Sequence, residues 1–253
     1  MDIDVSDLQV VVLDNVKKMW SNEFVRELFN KTLQIKFDGY DSVYGSNVIS
    51  VDKIDFFGTH IIVCYKNGTK LEPIFAFKSA TMKRCHEFLH AFPAVSLVKR
   101  DGNYLCNQNL QYLLDDIKNR GEEVSYESSL SQSILVRKNK TIKVKQLIHE
   151  VTMMLAVSYH KSYGIENMLA CGVIEVKTNK FFQKMGLSDL CKDSYFKQTD
   201  INDNLVSLMY TKKFSDEALL YAMKYRNLWD DRLTFSPERE ISSDAEASFL
   251  KSA

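Results

Sequence analysis

The sequence is poor in helix-breaking residues and has no excess of either charge. Only three prolines fall in 253 residues, so Pro-rich linkers are excluded and a compact chain is expected. Lys and Arg number 33 against 33 Asp and Glu, a formal net charge of 0. That balance argues against wrapping a polyanion, so no nucleic-acid partner is expected. No run approaches the roughly 18 to 20 consecutive apolar residues of a transmembrane segment. The acidic opening Met1-Asp2-Ile3-Asp4 lacks the basic region that precedes the apolar stretch of a secretory leader, so a cytoplasmic location is expected. The five cysteines (Cys64, Cys85, Cys106, Cys171, Cys191) are odd in number and contain no CxxC pair, and they read as reduced core residues. There is no G-x-S-x-G elbow, no Walker loop and no G-x-G-x-x-G turn, so hydrolase, NTPase and Rossmann readings lose ground.

What is present suits a packed core: 45% of residues are hydrophobic and 11% aromatic. Apolar residues at Leu8, Val12, Val16, Met19, Trp20, Phe24, Leu28 and Phe29 follow helical spacing, which predicts a helix over 6–31. The Gly-, Asp-, Ser- and Tyr-rich stretch 38–47 reads as a loop. Thr59 to Tyr65 and Leu71 to Phe77, around Asn67-Gly68, read as a hairpin. A helix over 79–91 is expected to stop at Phe92-Pro93, followed by a short strand over 95–98. Helices are expected over 107–119, 144–163, 178–185 and 216–228, and strands over 131–137 and 168–174. The end from Ser236 reads as frayed, and no internal repeat is seen.

Two local motifs carry chemistry. His86-Glu87-Phe88-Leu89-His90 fits H-E-x-x-H, in which two His one helical turn apart bind zinc and the Glu activates water. Its third ligand is unmarked, with Glu123, Glu127, His149 and Glu150 open, and the surface-helix reading stands beside it. Arg137-Lys138-Asn139-Lys140 and Lys143 lie where a strand is expected to enter a long helix, and a phosphate is attracted to such a helix start among cations. A phosphopantetheine group or the acidic face of a carrier protein would suit it. Met153, Met154 and Leu155 read as core or as the lining of an acyl tunnel.

Several features fall into one order: Asp52-Lys53-Ile54-Asp55 before a strand, Phe77-Lys78 closing the next, Tyr126-Glu127-Ser128-Ser129 opening another, then a long helix and a strand-helix-Gly ending at Phe181 to Gly186. In this order, over roughly residues 16–190, the sequence resembles the GNAT-type N-acyltransferase superfamily. Within it the chain looks like the acyl-homoserine-lactone synthase and N-acyl amino acid synthase branch. The resemblance implies that Glu127, in a Trp/Tyr-Glu-x-Ser-Arg position, helps deprotonate the acceptor amine, directly or through water. It implies that Asp52 and Asp55 lie near the acceptor ammonium, with Lys78 and Ser129 as further substrate contacts. An amine must lose its proton before attacking a thioester, and a carboxylate both holds the ammonium and accepts the proton. The oxyanion donors implied are backbone N–H groups of the central strand, somewhere in Ser131 to Val136. Arg137, Lys138, Lys140 and Lys143 take the place of the usual coenzyme A loop, which the autoinducer branch also lacks.

Two positions depart from the branch: Lys78 and Leu130 stand where it keeps arginines. Lysine lacks the bidentate fork and leucine has no charge, so both departures argue against S-adenosylmethionine recognition and homoserine-lactone formation. About twenty residues over 102–119 look inserted relative to the branch. The fold expected is α/β (α+β): a GNAT-like, mostly antiparallel central sheet flanked by helices over 1–190, with a partly helical C-terminal extension over 191–253. The function expected is fatty acyl transfer to the amine of an amino-acid-like acceptor, with an acyl carrier protein or coenzyme A thioester as donor and no bound cofactor. A zinc peptidase using His86, Glu87 and His90, or a non-catalytic GNAT-fold binding module, is the alternative.

Overall fold

The computed structural model describes residues 3–45, 48, 50–139, 141–190 and 195–237. Its strands are β1 (Leu8–Asp14), β2 (Thr59–Asn67), β3 (Lys70–Thr81), β4 (Val124–Gln132), β5 (Asn167–Val173), β6 (Ser188–Asp189), β7 (Phe196–Gln198), β8 (Asn204–Thr211) and β9 (Leu233–Phe235). The α-helices are α1 (Glu23–Tyr44), α2 (Lys53–Phe57), α3 (Met82–Glu87), α4 (Pro93–Asp101), α5 (Tyr104–Asn119), α6 (Ile134–Lys138), α7 (Ile142–Tyr163), α8 (Thr178–Met185), α9 (Asp216–Lys224) and α10 (Arg226–Asp230). Among the described residues the strands form one mixed sheet in the order β6-β8-β5-β4-β3-β2-β1-β9, with β7 also on β8. β1 with β9 and β4 with β5 are parallel pairs, and β1–β2, β5–β8, β6–β8 and β7–β8 are antiparallel. This is the mostly antiparallel sheet flanked by helices that the sequence led us to expect.

The chain divides into two compact units, and β3, β4 and α7 each run through both. The first unit holds the described residues of Met1–Lys78, Ser129–Thr152 and Tyr225–Ala253. Its core joins Val11 and Leu13 of β1, Ile62 and Cys64 of β2, and Leu71 and Ala76 of β3 to Val25, Leu28, Phe29 and Leu33 of α1. Asn22 caps α1 by accepting from the Val25 N–H at 3.1 Å, and Gly45, at a φ of 94°, ends it. The second unit holds Ser79–Ser128 and the described residues of Met153–Lys224. Met153, Ala156 and Val157 of α7 pack there with Met168 and Ala170 of β5, Phe182 and Met185 of α8, and Met209 of β8. Met153, Met154 and Leu155 are all fully buried, which favours the core reading over a tunnel lining.

Several elements differ from the sequence expectation. Residues 6–31 contain a strand, a 3₁₀ turn and only the start of a helix. Leu8, Val12 and Val16 fit helical spacing, but Val10 to Leu13 are buried on both faces of β1, and a doubly covered strand loses the alternation that marks it. α1 continues through residues 38–44 of the loop expected over 38–47, and residues 46 and 47 lie outside the described residues. A Gln34–Asp38 side-chain bond of 2.8 Å and a Tyr40–Tyr44 ring contact of 5.4 Å, both one helical turn apart, support those turns. At Phe92-Pro93 a helix begins instead of ending: Pro93 is the first residue of α4, where its missing N–H costs no bond, so residues 95–98 are helical. Residues 131–137 divide between the end of β4 and α6. The expected helix at 216–228 appears as α9 followed by α10, and the expected insertion carries α5. Within 191–253, β7, β8 and β9 join the sheet, and residues 191–194 and 238–253 lie outside the described residues. Cys64, Cys85 and Cys106 are buried and reduced, Cys171 is reduced, and Cys191 lies outside the described residues. No helix among the described residues is long and apolar enough to cross a membrane.

Gly172 of β5 lets α8 approach closely: a Cβ there would lie 2.6 Å from the Asn179 Cα. Gly172→Ala must therefore push strand and helix apart, and its expected cost is about 1–3 kcal/mol in urea unfolding.

Candidate active site

In the first unit, Asp52-x-x-Asp55 is a capping box. The Asp52 carboxylate caps α2 by accepting from the Asp55 N–H at 2.9 Å, and Asp55 Oδ2 accepts from the Asp52 N–H at 2.9 Å. The two carboxylates differ in surroundings. Asp55 is fully buried and takes Lys78 Nζ at 2.7 Å on Oδ1 and Lys36 Nζ at 2.8 Å on Oδ2, whereas the Asp52 side chain is 48% exposed and meets Lys78 at 3.2 Å. Burial opposes ionisation of Asp55, but the Lys78 and Lys36 ammonium groups outweigh it and hold the carboxyl below its usual range. Burial, and then Lys78, lower the Lys36 pKa. His60, whose Nε2 lies 2.7 Å from the Asp55 carbonyl, is pushed down to about 4 by burial. Asp52, Asp55 and Lys78 thus come together, and Asp55 and Lys78 are committed to each other.

In the second unit, Glu127 of β4 is 6% exposed. Its Oε1 accepts from Ser79 Oγ at 2.8 Å and lies 2.8 Å from Ser125 Oγ and 3.5 Å from His160 Nε2, while buried Oε2 has no hydrogen-bond partner. Ser125 and Glu127 lie two apart on one strand and so share a face. Burial pushes the Glu127 carboxyl up to about 8 despite the bonds from Ser125 and Ser79. Pairing of β4 with β5 ends at Glu127 and Ala170, and Ser129 just beyond has a φ of 58°. A buried carboxyl with a raised pKa and a vacant lone pair is equipped to take a proton.

The remaining expected residues lie elsewhere. The Ser129 carbonyl accepts from Ser131 Oγ at 3.0 Å, and Leu130 lies in β4. Arg137 turns its guanidinium to α1, donating to the Asp38 carbonyl at 3.0 Å and to Ser42 Oγ. Lys143 meets Asp4 at 2.7 Å, Lys138 is exposed, and Lys140 lies outside the described residues. Of Ser131 to Val136, expected to supply oxyanion donors from a strand, Ser131 and Gln132 end β4, and Ser133 to Val136 precede and enter α6. The zinc reading does not hold. α3 ends at Glu87, Leu89 takes a φ of 50°, and His90 lies past the helix, so His86 and His90 share no helical face. His90 Nδ1 meets the Ala91 carbonyl at 2.8 Å. Among the described residues no group of three His, Cys, Asp or Glu side chains is placed to hold a metal ion.

Sequence reasoning missed Lys36, His60, Ser79, Ser125 and His160. Two of them carried a signal: Lys36 continues the stripe Phe29, Thr32, Leu33 of α1, and His160 continues Met153, Ala156, Val157 of α7. An ionisable residue inside an apolar stripe needs a partner across the packing.

Asp55→Asn should leave two buried ammonium groups without their shared anion and lower stability by about 3–5 kcal/mol in urea unfolding. Asp52→Asn, at a half-exposed carboxylate, should change it by about 1 kcal/mol or less. Because the folded Asp55 pKa lies below its unfolded value, its contribution is full above the unfolded pKa and lost as pH falls through the folded one. The difference between wild type and Asp55→Asn should therefore shrink in acid.

No family model and no curated protein sequence matches the chain. Solved structures do. BjaI, a CoA-dependent acyl-homoserine lactone synthase solved with MTA, matches with a TM-score of 0.53 at 10% identity, over 96% of this chain and 99% of that one. FeeM, an N-acyl amino acid synthase from uncultured soil microbes, matches with a TM-score of 0.51 at 7% identity, over 81% and 91%. TofI, in a ternary complex with an inhibitor and MTA, matches with a TM-score of 0.50 at 8% identity, over 85% and 96%. The chain is built on the GNAT-type fold that these proteins share.

Proposed function

We propose that the chain is an N-acyltransferase that moves a fatty acyl group from an acyl carrier protein or coenzyme A thioester to the amine of an amino-acid-like acceptor, in the cytoplasm. The observation that carries this reading is the Glu127 carboxyl: buried, raised to about 8, and with Oε2 unpartnered. The likeness in fold to BjaI and FeeM supports the reaction class, since one is named a CoA-dependent acyl-homoserine lactone synthase and the other an N-acyl amino acid synthase.

Glu127 is the general base. It takes a proton from the acceptor ammonium on Oε2, and the freed amine attacks the thioester carbonyl, giving a tetrahedral intermediate that collapses to an amide and a thiol. Oxyanion donors belong on β4 past Glu127, since Ser133 to Val136 lie at and in α6. In the first unit Asp52 keeps a half-exposed carboxylate suited to holding an ammonium, and Asp55 and Lys78 hold it in place from the buried side. Ser129 contacts substrate at the bend of β4. Exposed Lys138 leads the donor-side cations, with Arg137 and Lys143 held by neighbours and Lys140 outside the described residues.

Glu127→Gln tests the assignment. The variant should lower turnover by about 10²- to 10⁴-fold. The wild-type carboxyl has a folded pKa above its unfolded one, so it costs stability increasingly as pH rises from about 4 towards 8. Glu127→Gln should consequently melt no lower than wild type at pH 8. Organic extracts of a bacterial host making the wild type should contain an N-acyl amino acid that the variant's extracts lack, and mass spectrometry gives its chain length. Equal product from both would remove Glu127 from the mechanism.

A further inference from the structure

His160 has no part in the mechanism above, yet its buried ring belongs to the same hydrogen-bonded chain as Glu127. Its Nδ1 lies 2.7 Å from the Ala156 carbonyl, and a carbonyl only accepts, so Nδ1 carries a proton. On the other side Nε2 lies 2.9 Å from Ser125 Oγ, which is in turn 2.8 Å from Glu127 Oε1. The ring is 2% exposed, with the Phe214 ring centroid at 5.4 Å, the Tyr159 centroid at 5.5 Å, and Glu127 as the carboxyl facing it.

Counting protons fixes what this chain can be. Ser125 has one hydroxyl hydrogen and two close neighbours. If Glu127 were ionised and His160 neutral, both neighbours would be bare acceptors, and Ser125 could satisfy only one. Both contacts become hydrogen bonds when one further proton is present. It sits either on Glu127 Oε1, which donates to Ser125 as Ser125 donates to Nε2, or on Nε2, which donates to Ser125 as Ser125 donates to Glu127. Burial raises the carboxyl to about 8 and lowers the imidazole to about 4, so the first arrangement is the resting one.

Building on Glu127 as the base, we propose that Ser125 and His160 form a proton relay behind it, which empties the carboxyl at Oε1 as it fills at Oε2. The acceptor ammonium gives a proton to Oε2, Oε1 passes its own to Ser125 Oγ, and Ser125 passes its hydroxyl hydrogen to His160 Nε2. The acceptor ends as a neutral amine, Glu127 is still protonated but on Oε2, and His160 is an imidazolium. No other reactant is needed. A carboxyl that rests protonated at neutral pH can thereby act as a base, and His160 is a positioning and proton-holding residue that acts through Ser125.

The relay predicts a distinctive pH dependence. Wild-type kcat/KM should persist below the carboxyl's own pKa of about 8. In Ser125→Ala and His160→Gln the base must ionise by itself, so the rate should drop about tenfold per pH unit below that value and recover in alkali. Ser125→Thr keeps the hydroxyl and should restore the wild-type profile. Independently of turnover, ¹⁵N NMR of the wild-type imidazoles should find His160 protonated at Nδ1 and bare at Nε2 at pH 7, with the Nε2 resonance displaced in Ser125→Ala. A wild-type pH profile in Ser125→Ala, or an Nε2-protonated neutral tautomer, would overturn the relay, and the NMR arm decides if His160→Gln does not fold. Full turnover in Glu127→Gln would instead remove the base while leaving the NMR result to judge the hydrogen-bonded chain.

Discussion

A carboxyl taken out of water is costly unless a cation meets it, hydrogen bonds hold it or it keeps its proton, and Asp55 and Glu127 take different courses. Asp55 meets two lysines, and its capping bond to the Asp52 N–H fixes where α2 begins. Lys36 reaches it from the buried stripe of α1 and Lys78 from the end of β3, so one anion ties a helix, a short helix start and a strand together. Removing water makes these charges depend on one another. Among the described residues Glu127 meets no lysine or arginine but two serine hydroxyls, with the His160 ring at 3.5 Å, and burial raises its carboxyl to about 8.

The two carboxyls differ in what they have left to offer. A carboxylate saturated by two ammonium groups and a backbone N–H has little capacity left for a substrate. A carboxyl held on one oxygen by hydroxyls and unpartnered on its other, buried oxygen keeps a lone pair unused. Hydroxyls suit such a site because they donate or accept as the proton count changes, whereas a lysine would lock the carboxylate in its charged form.

The strands β2, β3 and β5 were legible from sequence. The Asn67-Gly68 hairpin, the helix ending at Gly164, and the strand-helix-Gly run to Gly186 all carry local signals in turn residues and periodicity. β1 was misread because it is covered on both faces and shows no alternation, and α4 because a proline before a helix looks like a proline after one. The H-E-x-x-H pattern placed the right letters at the right spacing, but a turn at Phe88 and Leu89 ends the helix that the motif needs.

By itself the sequence determined the Asn67-Gly68 hairpin, the helix ending at Gly164 and the strand-helix-Gly run to Gly186, because these rest on neighbours along the chain, while Asp52, Asp55 and Glu127 stood out through the resemblance. The tertiary structure alone decided that Asp55 is neutralised by Lys36 from 19 residues away and that Glu127 faces Ser79 and His160, 48 and 33 positions distant. Charge state in a protein interior is set by what lies within about 4 Å after water has left, and a linear sequence does not record that distance.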